Sequence, residues 1–133
     1  PKSPRVAVRA IIVEDGRLLM VNAWPDGRSP LMCAPGGGVE VGSSLPDNLT
    51  REVFEETGWR MRLDRRLGFY RRFTFMPEYD MWAEKICTIY LGQPTMQLSA
   101  PLEEGHTPLW VHRSDAPDIL TNSGDAEFMN WFA

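Results

Sequence analysis

Three glutamates, Glu52, Glu55 and Glu56, stand within the five-residue stretch EVFEE. On a helix turning about 100° per residue they share an arc of roughly a third of a turn. Like charges at such spacings weaken a helix by about 0.2–0.5 kcal/mol per pair. Leu45, Leu49 and Val53 overlap and adjoin the same arc, so the carboxylates run along the edge of the packed face instead of the wet side. Arg51 can pair with Glu55 at i+4, but no lysine is in register with the triad. Such an arc calls for a cation, and hard divalent ions such as Mg2+ or Mn2+ take oxygen ligands of this type. An acidic helix of this kind is often only solvated surface, so its setting decides.

The setting is APGGGVEVGSS, from Ala34 to Ser44, directly before the acidic segment. Chain without side-chain bulk can bend sharply and aim backbone groups at a phosphate. Gly37 to Ser44 nearly spells the nucleotide cradle G-x-x-x-x-G-K-[ST], but Ser43 stands where that pattern needs lysine, and Glu40 lies inside the loop. The cradle reading also leaves the glutamates unexplained, so it is set aside. What remains is a phosphate loop beside a carboxylate arc that holds a metal ion.

Bulk properties narrow the partners. The net charge of −4 and pI near 5.2 argue against binding a nucleic-acid polymer, which needs a basic face. They do not argue against a small phosphate substrate whose charge a metal offsets. Arg60, Arg62, Arg65, Arg66, Arg71 and Arg72 form the one basic cluster and read as solvated surface. No apolar run approaches membrane-spanning length, so no membrane partner is expected. Cys33 and Cys87 lie in apolar, strand-like stretches and read as reduced core residues of a cytoplasmic protein.

The 133 residues suit one domain with a single core. Arg5 to Glu14 and Leu18 to Ala23 read as a hairpin around the Asp15-Gly16 turn, and Leu31 to Ala34 as a short buried strand. A helix is expected over Leu45 to Thr57, capped by Ser44 with Asp47 three residues on, and ended by Gly58. Leu67 to Met76, Trp82 to Leu91 and Leu109 to His112 read as strands, and Asp115 to Leu120 and Asp125 to Phe132 as two short closing helices. The fold class is α/β, a mixed sheet with helices on both faces.

Placed together, loop and helix resemble the Nudix hydrolase family, whose box reads G-x5-E-x7-R-E-U-x-E-E-x-G-U with U apolar. Gly37, Arg51, Glu52, Val53, Glu55, Glu56, Gly58 and Trp59 fill eight of its nine fixed positions across 23 residues. Ser43 replaces the first box glutamate. In the family that residue lies at the margin of the metal site, and serine brings no charge.

The resemblance implies a Nudix-type α/β/α sandwich spanning 1–133. It implies hydrolysis of the pyrophosphate linkage of a nucleoside diphosphate derivative, by water attacking phosphorus with Mg2+ or Mn2+. The metal set implied is Glu52, Glu55 and Glu56, a backbone carbonyl at Gly36, and Glu104, a late-loop glutamate six residues before Trp110. Glu103 is the immediate rival of Glu104 and is expected to point elsewhere. Glu52 is the preferred general base, with Arg51 positioning it. Gly37 lies against the phosphates. Trp24, Phe75, Tyr79 and Trp82 are aromatic residues that can stack on a base. Asn122 stands near where MutT-like members place an asparagine that reads a purine edge. A homodimer is admitted as the assembly. The other reading is a catalytically weakened nucleotide-binding or sensing module, suggested by Ser43.

Overall fold

The computed structural model describes residues 5–23, 31–39, 42–76, 81–103, 105–120 and 126. Strand β1 (Arg5–Glu14) turns at Asp15 and Gly16, both at positive φ (50° and 74°), into β2 (Arg17–Ala23). Left-handed dihedrals at two successive turn residues match the twist of a tight hairpin. Then come β3 (Leu31–Cys33), β4 (Gly36–Gly38), α1 (Leu45–Thr57), β5 (Trp59–Met76), β6 (Met81–Gln97), β7 (His106–His112) and the single turn α2 (Ala116–Ile119).

The sheet is mixed. β1 runs parallel to β6 over Arg5 to Ile12 and antiparallel to β4, while β5 pairs antiparallel with β6 along its whole length. β2 carries β3 and β7. β1 therefore joins two groups of strands in the order β3-β2-β1-β6-β5. Two apolar clusters fill its two sides. Val8, Ala10, Ile12 and Leu19 pack with Leu49 and Val53 of α1. Ala7, Ile11, Cys87 and Ile89 pack with Ala116 and Leu120 at α2. Burial along β1 is nearly continuous from Ala7 to Ile12, which is what a strand covered on both faces requires.

Helix α1 has the expected bounds because its caps are local. The Ser44 hydroxyl accepts the Asp47 amide at 3.2 Å, and Gly58 takes the left-handed cap conformation, its amide donating to Phe54 at 2.8 Å. Three strands run well past their expected bounds, β7 beginning at His106 instead of Leu109. β5 begins at Trp59 instead of Leu67, and β6 runs on to Gln97 instead of Leu91. Cross-strand pairing carries β5 and β6 past the arginine-rich stretch, whose Arg60, Arg62, Arg65 and Arg66 are exposed as expected. Gly36–Gly38, read as pure loop, is a short strand on the edge of β1.

Candidate active site

The glycine strand and the acidic helix meet at one place. Gly36 sits at φ 144°, and a Cβ there would run into the Val8 carbonyl and Arg9 Cα. Only glycine lets β4 approach β1 this closely. Gly37 faces Glu52, and a Cβ at Gly37 would stand 3.3 Å from the Glu52 carboxyl carbon. The absence of side chains on the strand thus makes room for a carboxylate on the helix.

The three helix glutamates have different surroundings. Glu56 is buried at 4% exposure and accepts the Gly36 amide at 3.3 Å. Burial raises its pKa, the Gly36 amide opposes the rise, and the adjacent Glu52 carboxyl adds to it. Arg9 lowers it and the Glu52 charge raises it further, leaving Glu56 pushed up to about 8. Burying an ion costs several kcal/mol, whereas a hydrogen bond to a charged group returns about 1.5–3. Desolvation wins, and a cation beside the carboxyl would reverse that balance.

Arg51 spans the other two. Its guanidinium donates to Glu55 at 3.1 and 3.2 Å, to Glu52 at 3.3 Å and to the Asn48 carbonyl oxygen at 3.2 Å. Arg51 thus contacts both Glu55 and Glu52.

A fourth carboxylate arrives from outside the helix. After β6 the chain folds back over the end of α1. Leu98 and Ser99 donate to the Gly58 carbonyl, and Leu102 and Glu103 donate to the Glu55 carbonyl at 2.8 and 3.0 Å. These bonds satisfy carbonyls that a helix end leaves without partners, and they fix Glu103. Its carboxylate lies with those of Glu52 and Glu56, ligand atoms of all three within 4.8 Å of one another. His106 stands 3.5 Å from the other side of the Glu103 carboxylate. The expectation that Glu103 points elsewhere is therefore corrected: anchoring of its amide on the helix end turns it toward the cluster. Three carboxylates from two elements form an all-oxygen donor set of the kind Mg2+ and Mn2+ take, so the residues fit such an ion.

Of the remaining expected residues, Phe75 and Trp82 face each other at 5.3 Å between ring centres, 39% and 65% exposed. Phe69 and Phe73 share their side of β5 and are also exposed. Cross-strand partners run Gly37, Val8, Thr88, Phe69, so one row of the sheet leads from the glycine strand to this aromatic face. Ser43 is half-buried just before the Ser44 cap. Trp24, Tyr79, Glu104, Asn122 and most of the second closing helix lie outside the described residues.

Two site residues escaped the sequence reading. Asn48 is fully buried at 0% exposure and donates to the Gly38 carbonyl at 3.1 Å. Arg9, beside Glu56, donates to the Ala34 carbonyl. The available signal was a polar residue on the packed face of α1 and an arginine in the middle of an apolar strand.

Comparison with known proteins agrees with the geometry. The family profile described as "NUDIX domain" matches residues 3–132. A "MutT-like protein" of Streptomyces ambofaciens is 37% identical over 75 residues, 56% of this chain and 47% of that protein. An "ADP-ribose pyrophosphatase" of Methanocaldococcus jannaschii is 34% identical over 67 residues, 50% of this chain and 40% of that protein. The matches thus span about half or less of the relatives' lengths. The solved structure of a NUDIX hydrolase from Nitrosomonas europaea superposes with a TM-score of 0.81 at 21% identity, covering 98% of this chain and 88% of that one. A near-complete profile match and the shared fold lead to one conclusion: the chain belongs to the NUDIX family.

Proposed function

We propose that this chain hydrolyses a phosphoanhydride bond in a small nucleoside diphosphate derivative, by attack of water on phosphorus, with Mg2+ or Mn2+ as cofactor. The single observation that carries this is the meeting of Glu52, Glu56 and Glu103 within 4.8 Å, beside a glycine strand with no side chains in the way. These three carboxylates would hold the ion, with Glu55 and a Gly36 backbone carbonyl as further ligands and Glu104 as the alternative late-loop ligand. When bound, the ion supplies positive charge against the diphosphate and lowers the pKa of a water. Glu52 is the general base. Its side chain is 15% exposed and held by Arg51, so it is oriented and still reachable by water. Gly37 leaves space for the phosphates. The "Putative 8-oxo-dGTP diphosphatase" of Bacillus subtilis, 38% identical over 53 residues, and the "ADP-ribose pyrophosphatase" of Methanocaldococcus jannaschii favour a nucleotide derivative, either a nucleoside triphosphate or a diphosphate joined to a sugar.

The organic half of the substrate rests on the exposed aromatic face, with Phe69 nearest in register to Gly37 and with Phe75 and Trp82 farther out. Trp24 and Asn122 complete the substrate contacts in this reading. Half-buried Cys33 and buried Cys87 form no disulfide, which suits the reducing cytoplasm. No helix among the described residues is long and apolar enough to cross a membrane. The test is the formation of nucleotide products, separated by chromatography, from a panel of nucleoside triphosphates, nucleotide sugars and dinucleoside polyphosphates, with and without Mg2+ or Mn2+. Ser43 favours a second reading, a binding module of the same fold, and tight binding of a panel member without turnover would establish it.

A further inference from the structure

We propose that Asn48 is a positioning residue that latches the glycine strand to the acidic helix and thereby sets the affinity of the carboxylate cluster for a divalent ion. The inference rests on the reading of that cluster as a metal site. Asn48 lies on α1 at 0% exposure, where a leucine would serve packing at less cost. Its amide nitrogen bonds to β4 and its side-chain oxygen to an arginine of α1. Nδ2 donates to the Gly38 carbonyl at 3.1 Å, which ties down the end of β4. Oδ1 accepts from Arg51 Nη2 at 3.2 Å, and the same nitrogen donates to Glu52 at 3.3 Å.

One side chain therefore couples the strand that faces Glu52 to the arginine that orients Glu52. This matters because Gly37 leaves the Glu52 carboxyl little slack, with a hypothetical Cβ only 3.3 Å from it. A shift of the strand against the helix changes the gap between Gly36, whose amide holds Glu56, and the Glu52 carboxylate. Ser43 contributes no charge at the loop's end, and the neutral Asn48 latch joins the Gly36 amide on Glu56 in tying the glycine strand to the helix. Residues that orient metal ligands typically change metal affinity by 10–100-fold when removed.

The experiment measures Mn2+ binding to the substrate-free protein by electron paramagnetic resonance, together with the melting temperature in EDTA. The proteins are the wild type, Asn48→Leu, Asn48→Ala, Arg51→Ala, the Asn48→Leu/Arg51→Ala pair, and Glu56→Gln. Asn48→Leu keeps the branched outline and suits a helix, and Asn48→Ala stands in if the larger leucine does not fold. The expected result is Mn2+ affinity lower by about tenfold in Asn48→Leu, with the EDTA melting temperature retained. In the Arg51→Ala background the same change should cost about threefold or less, because the two residues act through one contact. Affinity within about twofold of wild type in Asn48→Leu, or a full additive loss in the pair, overturns the latch while leaving the metal site standing. Absence of Mn2+ binding in the wild type, or wild-type affinity in Glu56→Gln, overturns the metal-site reading itself.

Discussion

At Glu56 a carboxyl with 4% exposure accepts one amide, from Gly36, while the Glu52 carboxyl lies beside it. Its pKa in the folded protein is near 8, above the ordinary 4.5 of an exposed glutamate. The folded state therefore binds a proton that the unfolded chain has already released between those values. The stabilising contribution is complete below about pH 4.5 and is lost as pH rises through about 8. Without metal, the melting temperature should fall between pH 5 and pH 8. Added Mn2+ should raise it most at the alkaline end, because the ligand must be deprotonated. Calorimetry in EDTA and in Mn2+ checks this, and a flat metal-free profile would contradict it. Glu103 belongs to the same scale. Glu103→Gln should cut turnover by at least about tenfold, and a larger loss in Glu104→Gln would return the ligand role to the neighbour. The choice between these two was not legible in the sequence. It depends on amides of residues 102 and 103 reaching the Glu55 carbonyl, a contact between distant segments.

The elements show why some boundaries were readable and others were not. The caps of α1 are written in adjacent residues, Ser44, Asp47 and Gly58, so the helix could be placed from them alone. The first half of β5 reads Trp-Arg-Met-Arg-Leu-Asp-Arg-Arg. Trp59, Met61 and Leu63 alternate with exposed polar residues and pack on the core. The charge that surrounds them hides this signal, and pairing with β6 completes the strand. β4 consists of three glycines with no strand preference of their own, and it exists because β1 has an edge to fill. Two substitutions in β4 should therefore differ in kind. Gly36→Ala drives a Cβ into the Val8 carbonyl and should destabilise the fold by about 2 kcal/mol or more. Gly37→Ala meets only the Glu52 carboxyl, so it should keep the melting temperature within a few degrees and lower turnover about tenfold by displacing that carboxylate. Equal effects of the two in thermal melts and in rate assays would contradict this division. On β5, Phe69→Ala should raise KM more than Trp82→Ala, since Phe69 stands in the sheet row that leads from Gly37.

Across the whole molecule, a chain of net charge −4 gathers acidic side chains at the junction of α1, β4 and the segment after β6. Folding of that kind makes sense chemically when a divalent cation completes the charge, and the NUDIX fold supplies the frame. The motif positions were readable because the box is continuous in sequence. Asn48, Arg9 and the direction of Glu103 were not, because they depend on contacts that only the folded chain creates. The most direct test of the account is metal-dependent hydrolysis by wild type and Glu56→Gln, measured side by side on the best substrate of the panel. The account predicts turnover that requires Mg2+ or Mn2+ and falls by at least about a hundredfold in Glu56→Gln at saturating metal. Near-wild-type turnover by Glu56→Gln, or equal turnover in EDTA, would contradict it.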